Sequence, residues 1–520
     1  MRRWLLLFLL FWPISCTSPQ RGQGPSYGDD LIIGSFHQPS VINPLITDST
    51  ISANLLDLVF DTLVQINSKY EIVPHLAERW EIGENGLVWT FHLKKGIHFH
   101  DGTELTSEDV RFTYEMISKV KNQGYRFFFN YVQSVEAPDP YTVRIHLSHF
   151  DQALWGGLLG VNIVPKHLLA QGPLEEAPFN KKPIGSGPFR FVSQNSEEIV
   201  LESNPDYFLG KPFLNHIKVK VFPSQRSNLT HLVSGQVDFL FLLDTEDYNF
   251  LPQLPEIKIY HNWNRYLNLL FVNSRREIFK SPKVRKALSL AIDRDQLRSS
   301  SSDEKWEPSG GPIYQESHSQ PPARNLEEAA RLFREEGWVY SRSENLLTKD
   351  GKPFQFSILL VEGEELYEKA INKIQAQLLE LGIKVETETI PAGQFFDRLF
   401  KRKDFDMALY RYVEHPYYFS YYNFWHSSQI GGGLNFSFYS NSEADRALDE
   451  IRLGQDETKV QEAKITLQKT LLEDPPALFL FWRRLPIAVH KRFQGIPEDY
   501  MENFKEFRKV WVKSSEQKYK

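Results

Sequence analysis

Leu87-Val-Trp-Thr-Phe-His-Leu-Lys-Lys-Gly-Ile-His-Phe-His-Asp-Gly-Thr-Glu-Leu-Thr-Ser-Glu-Asp-Val110 reads as a strand, two turns and a helix start in one stretch. Leu87, Trp89, Phe91 and Leu93 alternate with Val88, Thr90 and His92, the period of a half-buried strand. Lys95-Gly96 turns the chain, and Asp101-Gly102 is a second turn signal, because glycine reaches backbone conformations that other residues avoid. Thr106 is placed to cap a helix, with Asp109 where a capping box usually carries Glu. Val110, Tyr114 and Ile117 follow as an apolar stripe at helical spacing. His98 and His100 share one strand face, a spacing open to a metal ion. Two polar residues on a hairpin edge is the simpler reading of that pair.

The same periods recur on both sides. Leu31-Ile32-Ile33-Gly34 is a short buried strand that opens into a loop over 36–43. Leu55, Leu58, Val59 and Thr62 predict a helix from 52 to about 63. Asp139-Pro140 turns into Val143, Ile145 and Leu147, another alternating strand. Pro183-Ile-Gly-Ser-Gly-Pro188 sets Gly-Ser-Gly between prolines and marks a boundary, after which β pattern resumes at 189–191, 199–202 and 217–221. Ser281-Pro282 opens a helix with Val284, Ala287, Leu288 and Ala291 as its buried face. Asn325 to Glu328 is a capping box for a helix that stops at Gly337. Residues 368–381 form an amphipathic helix through Ile371, Ile374, Leu378 and Leu381, ended by Gly382, with a strand starting at Ile383 and Val385. Helix-glycine-strand units of this kind predict α/β layering. The segment 299–322, rich in Ser, Pro and Gly, reads as a surface loop.

Cys16 is the single cysteine in 520 residues. It follows a basic start at Arg2 and Arg3, nine apolar residues over 4–12, and Pro13-Ile14-Ser15. A bilayer span needs about 20 apolar residues. The layout therefore predicts a cleaved export signal over 1–15, with Cys16 as the lipid acceptor and 16–28 as a flexible tether. Pro13 stands where such signals usually carry an aliphatic residue. Once Cys16 is acylated, no thiol remains for a disulfide, a thiolate metal site or a cysteine nucleophile. A net charge of −6 gives no electrostatic reason to bind nucleic acid. With 41% apolar and 14% aromatic residues, the chain can build large cores in two or three domains.

No phosphate loop, nucleophile elbow or His-Glu-x-x-His pair is present. Gly431-Gly432-Gly433 lacks the lysine a phosphate cradle needs and reads as a flexible loop. No catalytic residue, metal or cofactor is expected. The richest local feature is Tyr410 to His426, in which nine of 17 residues are aromatic. Aromatic side chains with polar tips suit a ligand cleft, with Arg411, Glu414, His415 and His426 to orient a charged ligand. They suit a packed core under a loop equally well.

Several segments, in order, resemble the family 5 extracellular solute-binding proteins, the dipeptide-, oligopeptide- and nickel-binding components of ABC importers. The 87–110 stretch is similar to the family's Trp-x-Phe-x-Leu strand, Lys-Gly turn, Phe-His-Asp-Gly and Leu-Thr-x-Glu-Asp-Val helix start. Pro183 to Phe189 is similar to its Pro-x-Gly-[Thr/Ser]-Gly-Pro-[Tyr/Phe]. Asn273, Val284 to Ala287, Ala291 to Arg294, Tyr439-Ser440-Asn441 and Asp474-Pro475 resemble later positions, so the likeness covers about 31–512.

The resemblance implies a type II periplasmic-binding-protein fold of the α/β class, two lobes closing on a ligand, with a third subdomain inserted in the first. Lobe I would take 29–53, 182–266 and 482–515, the inserted subdomain 54–181, and lobe II 267–481. It implies a monomeric, non-enzymatic binding protein that is exported to the periplasm or cell surface and held to the membrane by its lipid. This protein would deliver a peptide or other small solute to an ABC permease. The same fold also serves sensing, and a hydrolase on an unrelated fold is the reading of another class. Ligand contacts are expected from Phe36 and Asn43 in lobe I and from Tyr412, Glu414, His415 and Trp425 in lobe II. Peptide-binding members place an aspartate just before an Asp-Pro pair to hold the peptide's α-amino group. Here Glu414 stands in for it and His415 replaces the acid before Pro416. Glu414 and His415, with His426 nearby, also suit a metal-chelate ligand.

Overall fold

The computed structural model describes residues 24–519 except 37–40, 48–49, 68, 118, 120–126, 242–249, 263–264, 298–305, 315–319, 415–416, 418–419, 498 and 501–503. Cys16, the export signal over 1–15 and the start of the tether lie outside the described residues.

The strand expected from the 87–93 alternation runs Val88–Leu93, with Trp89, Phe91 and Leu93 buried and the intervening residues half-buried. It lies in a four-stranded sheet ordered Ala77–Gly83, Val88–Leu93, Thr142–Leu147, Val132–Asp139. Trp89 stands opposite Ile145 and Phe91 opposite Val143, so both alternating segments turn their apolar sides to one core. Gly96 (φ 70°) and Gly102 (φ 88°) occupy the left-handed region at the two turns. The helix Ser107–Ile117 follows. Asp109 accepts the Thr106 backbone N–H at 2.9 Å, which is the reach-back half of a capping box.

The helix expected from 52 to about 63 runs instead Thr50–Val59. The Val59 carbonyl accepts the Gly187 N–H at 2.9 Å, and the chain then turns Asp61 inward. The buried Asp61 carboxylate meets His75 at 2.7 Å and accepts from the Ser186 hydroxyl at 2.8 Å and the Tyr207 hydroxyl at 2.9 Å. Burial works against that charge, but His75 and the two hydroxyls hold the carboxyl below its ordinary value. One more helical turn contributes little on its own, so these bonds decide where the helix ends.

The two signature segments meet here. The His100 backbone N–H donates to Gly185 O at 2.7 Å. His100 Nδ1 accepts the Gly185 N–H at 3.2 Å, and Nε2 donates to Gly187 O at 2.9 Å. A proton on Nδ1 would face that N–H. Burial pushes the His100 pKa from 6.5 down to about 4. The unfolded chain therefore takes up a proton that the folded chain refuses. This contribution to stability is intact above about pH 6.5 and is lost as pH falls towards 4. Urea unfolding at pH 7 and pH 4.5 is expected to show the wild type losing about 2 kcal/mol more than His100→Gln. Equal losses would remove His100 from the account.

Among the described residues the largest sheet has eight strands, ordered Asp499–Tyr500, Ile257–Asn262, Pro486–His490, Phe239–Phe241, Asp30–Ser35, His216–Val221, Glu198–Ser203, Phe189–Gln194. A six-stranded sheet is ordered Trp306–Pro308, Ala477–Arg483, Arg265–Val272, Met407–Glu414, Gln355–Val361, Lys384–Ile390. The helix Glu365–Leu379 joins its parallel strands Gln355–Val361 and Lys384–Ile390, and Ile371, Ile374 and Leu378 pack with Ile358 and Leu360. Gly382 (φ 79°) makes the turn between helix and strand. The α/β layering read from the sequence is present. The chain passes between the two large sheets at 262–265 and again at 483–486.

The segment 299–322 is not simply a surface loop. Trp306–Pro308 pairs antiparallel with Ala477–Arg483 as an edge strand, and Trp306 stacks on Phe481 with ring centroids 3.4 Å apart. Ser309 and Ile313 beyond it are buried. Three residues cannot display an alternation, so the surrounding Ser, Pro and Gly dominated the reading.

Candidate functional site

The crossings bring one end of the six-stranded sheet next to the eight-stranded body, and strand register builds a polar and aromatic cluster there. Glu307 pairs with Trp482, Trp482 with Leu267, and Leu267 with Tyr412, so one row crosses four strands. Arg265 and Glu414 form the facing pair two residues along the same two strands. Tyr314 completes the cluster from the loop after Trp306–Pro308. Its hydroxyl donates to Glu307 Oε2 at 2.7 Å, and its ring stands edge-on to Trp482 at 5.7 Å. The Arg265 guanidinium carbon lies 3.7 Å over the Tyr314 ring. Burial and the Glu307 acceptor push the Tyr314 hydroxyl up, keeping it a neutral donor.

Two polar groups in this cluster are buried without a hydrogen-bond partner among the described residues, Arg265 Nε and the indole Nε1 of Trp482. Buried donors are normally satisfied. Aromatic walls, one cation, one carboxylate and unspent donors suit the orientation of a small polar ligand.

Of the residues named from sequence, Tyr412 lies in the row, 7% exposed, with its ring 4.9 Å from Phe424. Glu414 ends its strand opposite Arg265. The Glu414 side chain and all of His415 lie outside the described residues. Trp425 is 0% exposed, enclosed by Phe271 at 5.3 Å and Phe479 at 5.9 Å. Phe36 is half-buried just past the strand Asp30–Ser35. Asn43 is buried, its side-chain N–H donating to Asn180 Oδ1 at 2.8 Å and its Oδ1 accepting the Leu45 N–H at 3.0 Å. His426 stacks on Tyr422 at 4.5 Å, with Nε2 3.4 Å from Asp449. Sequence reasoning missed Arg265, Glu307, Tyr314 and Trp482. They are spread over more than 200 positions, and only the Phe-Leu-Phe-Trp run at 479–482 hinted at a strand.

Away from that cluster, the body built on the four-stranded sheet clasps the body built on the six-stranded one. Arg452, on the helix Ser442–Leu453, meets Asp151 bidentately at 2.6 Å and 3.0 Å. The two side chains are only 4% and 2% exposed. Phe127 at 4.2 Å and Tyr422 at 4.7 Å cover the guanidinium. The Gln152 N–H donates to Arg452 O at 3.1 Å, and its side chain donates to Gly454 O at 2.6 Å. The aromatic run joins this contact, for the Tyr417 hydroxyl donates to Tyr70 O at 3.1 Å.

Comparison with known proteins agrees with this architecture. Residues 71–432 match the family described as bacterial extracellular solute-binding proteins, family 5 Middle. The chain is 30% identical over 514 residues to the oligopeptide-binding protein AppA of Bacillus subtilis, covering 96% of this chain and 94% of that protein. It is 25% identical over 481 residues to the probable D,D-dipeptide-binding periplasmic protein DdpA of Escherichia coli, covering 90% and 91%. The structure of Bacillus subtilis AppA in complex with a nonapeptide superposes with a TM-score of 0.79 at 29% identity, covering 94% of this chain and 100% of that one. NikZ from Campylobacter jejuni in complex with Ni(L-His) shares the fold, with a TM-score of 0.81 at 23% identity over 93% of this chain and 99% of that one.

Proposed function

The chain belongs to the bacterial extracellular solute-binding proteins of family 5, and we propose on that premise that it captures a peptide-like solute between its two closing lobes and passes it to the permease of an ABC importer. The family consists of binding proteins, not enzymes. We assign lobe I to 29–53, 182–266 and 482–515, the inserted subdomain to 54–181 and lobe II to 267–481. The eight-, four- and six-stranded sheets follow these spans except at 265–266 and 482–483, at the edges of the crossings, which supports the division. We assign Cys16 to lipid attachment, with the monomeric body tethered outside the cytoplasm.

The observation that carries the reading is the cluster of Arg265, Glu307, Tyr314, Tyr412 and Trp482 beside the crossings, where closing lobes would enclose a solute. Native mass spectrometry of a soluble form starting at Gly28 tests it. A co-purified mass released on denaturation, resolving into peptides, is the expected result, and a single metal-containing mass would replace peptide with chelate. Glu414 is proposed to hold the ligand's amino group. Glu414→Ala is expected to weaken an amine-bearing ligand by roughly tenfold or more, about 1.5–3 kcal/mol for a charged hydrogen bond. Unchanged affinity by calorimetry would exclude that role.

A further inference from the structure

We infer that Arg265 receives a carboxylate of the bound solute, making the preferred ligand an acid-bearing peptide. This deepens the peptide reading above and rests on it. The Arg265 guanidinium carbon lies 3.7 Å over the Tyr314 ring, a contact with the π face that uses none of its N–H donors. Its Nε is buried and has no hydrogen-bond partner among the described residues. Among the described residues no carboxylate forms an ion pair with it, and the adjacent Glu307 accepts from the Tyr314 hydroxyl instead. A half-buried guanidinium with unspent donors favours a planar, bidentate acceptor, which a carboxylate supplies.

The register limits where that carboxylate sits on the ligand. Arg265 stands directly across from Glu414 in the strand register. If Glu414 holds the amino group, the acid lies near the ligand's amino end. It is then either the terminus of a dipeptide or an acidic side chain early in a longer peptide.

Three pools of alanine peptides, two to nine residues long, separate these cases: free carboxylate termini, C-terminal amides, and amides with aspartate at the second residue. The wild-type protein is expected to prefer one carboxylate-bearing pool over the plain amides by roughly tenfold or more. The preferred pool identifies terminus or side chain. Arg265→Met is expected to reduce the preference to below about twofold while still binding the amides, with Arg265→Lys retaining part of it. Arg265→Gln repeats the test if Arg265→Met does not reach wild-type melting behaviour. A wild type that binds all pools equally, or an Arg265→Met that keeps the preference, overturns the inference. A wild type that binds none of the pools overturns the peptide reading itself, and this inference with it.

Discussion

Gly185→Ala is expected to abolish accumulation of folded protein, or to cost at least about 4 kcal/mol in any fraction that folds. A Cβ at Gly185 would fall on the Val59 carbonyl oxygen, inside any permitted approach. That oxygen cannot move aside freely, because it ends the helix Thr50–Val59 and accepts the Gly187 N–H. Gly185 cannot retreat either. Its N–H and carbonyl are both bonded to His100, and the next residue binds the buried Asp61. A substitution that adds one methyl group thus sets a backbone clash against four hydrogen bonds holding the same turn. Gly432→Ala is the control. Its Cβ meets nothing within 4 Å, and a change within about 0.5 kcal/mol is expected. Soluble yield and thermal unfolding of the two variants check the contrast, and a Gly185→Ala protein melting near wild type would discount the clash.

Arg452→Met is expected to destabilise the protein by about 3–5 kcal/mol, because it leaves Asp151 buried without its partner. The methionine keeps much of the arginine's apolar length against Phe127 and Tyr422, so the loss isolates the charge. The double variant Asp151→Leu/Arg452→Met removes both charges and is expected to recover most of the loss, since a buried ion pair on balance contributes little beyond an apolar pair. Because the clasp joins the body of the four-stranded sheet to that of the six-stranded one, both variants are also expected to release a bound ligand faster than wild type, with the cluster of Arg265, Tyr314 and Trp482 untouched. Urea unfolding and stopped-flow dissociation measure the two effects separately. A single variant within about 1 kcal/mol of wild type would show that water or another group satisfies Asp151.

Much of the architecture was legible before any coordinates. The alternation over 87–93 became the strand Val88–Leu93, and Thr106 with Asp109 made the helix start. Asn325 accepts the Glu328 N–H at 3.0 Å, as its capping position predicted. Motifs spaced along the whole chain pointed to the family before any fold could be built. The aromatic run was legible as aromatic but not as to which way it faced. In the structure Tyr412 enters the row with Leu267, Trp482 and Glu307, and Trp425 packs against Phe271 in the core. Composition cannot separate those fates, since a cleft wall and a core draw on the same side chains.

The chain's own order of residues settled most strands, helices, turns and caps, though neither the end of the helix Thr50–Val59 nor the edge strand Trp306–Pro308, and through its motifs the family, because these depend largely on backbone geometry within a few residues of each position. Folding in three dimensions was needed to bring His100 onto Gly185, Asp151 onto Arg452, and Arg265 beside Tyr314 and Trp482. Each of those contacts joins residues dozens to hundreds of positions apart, through strand register and packing between bodies. No local pattern specifies such a contact, because its free energy exists only once both partners have been placed.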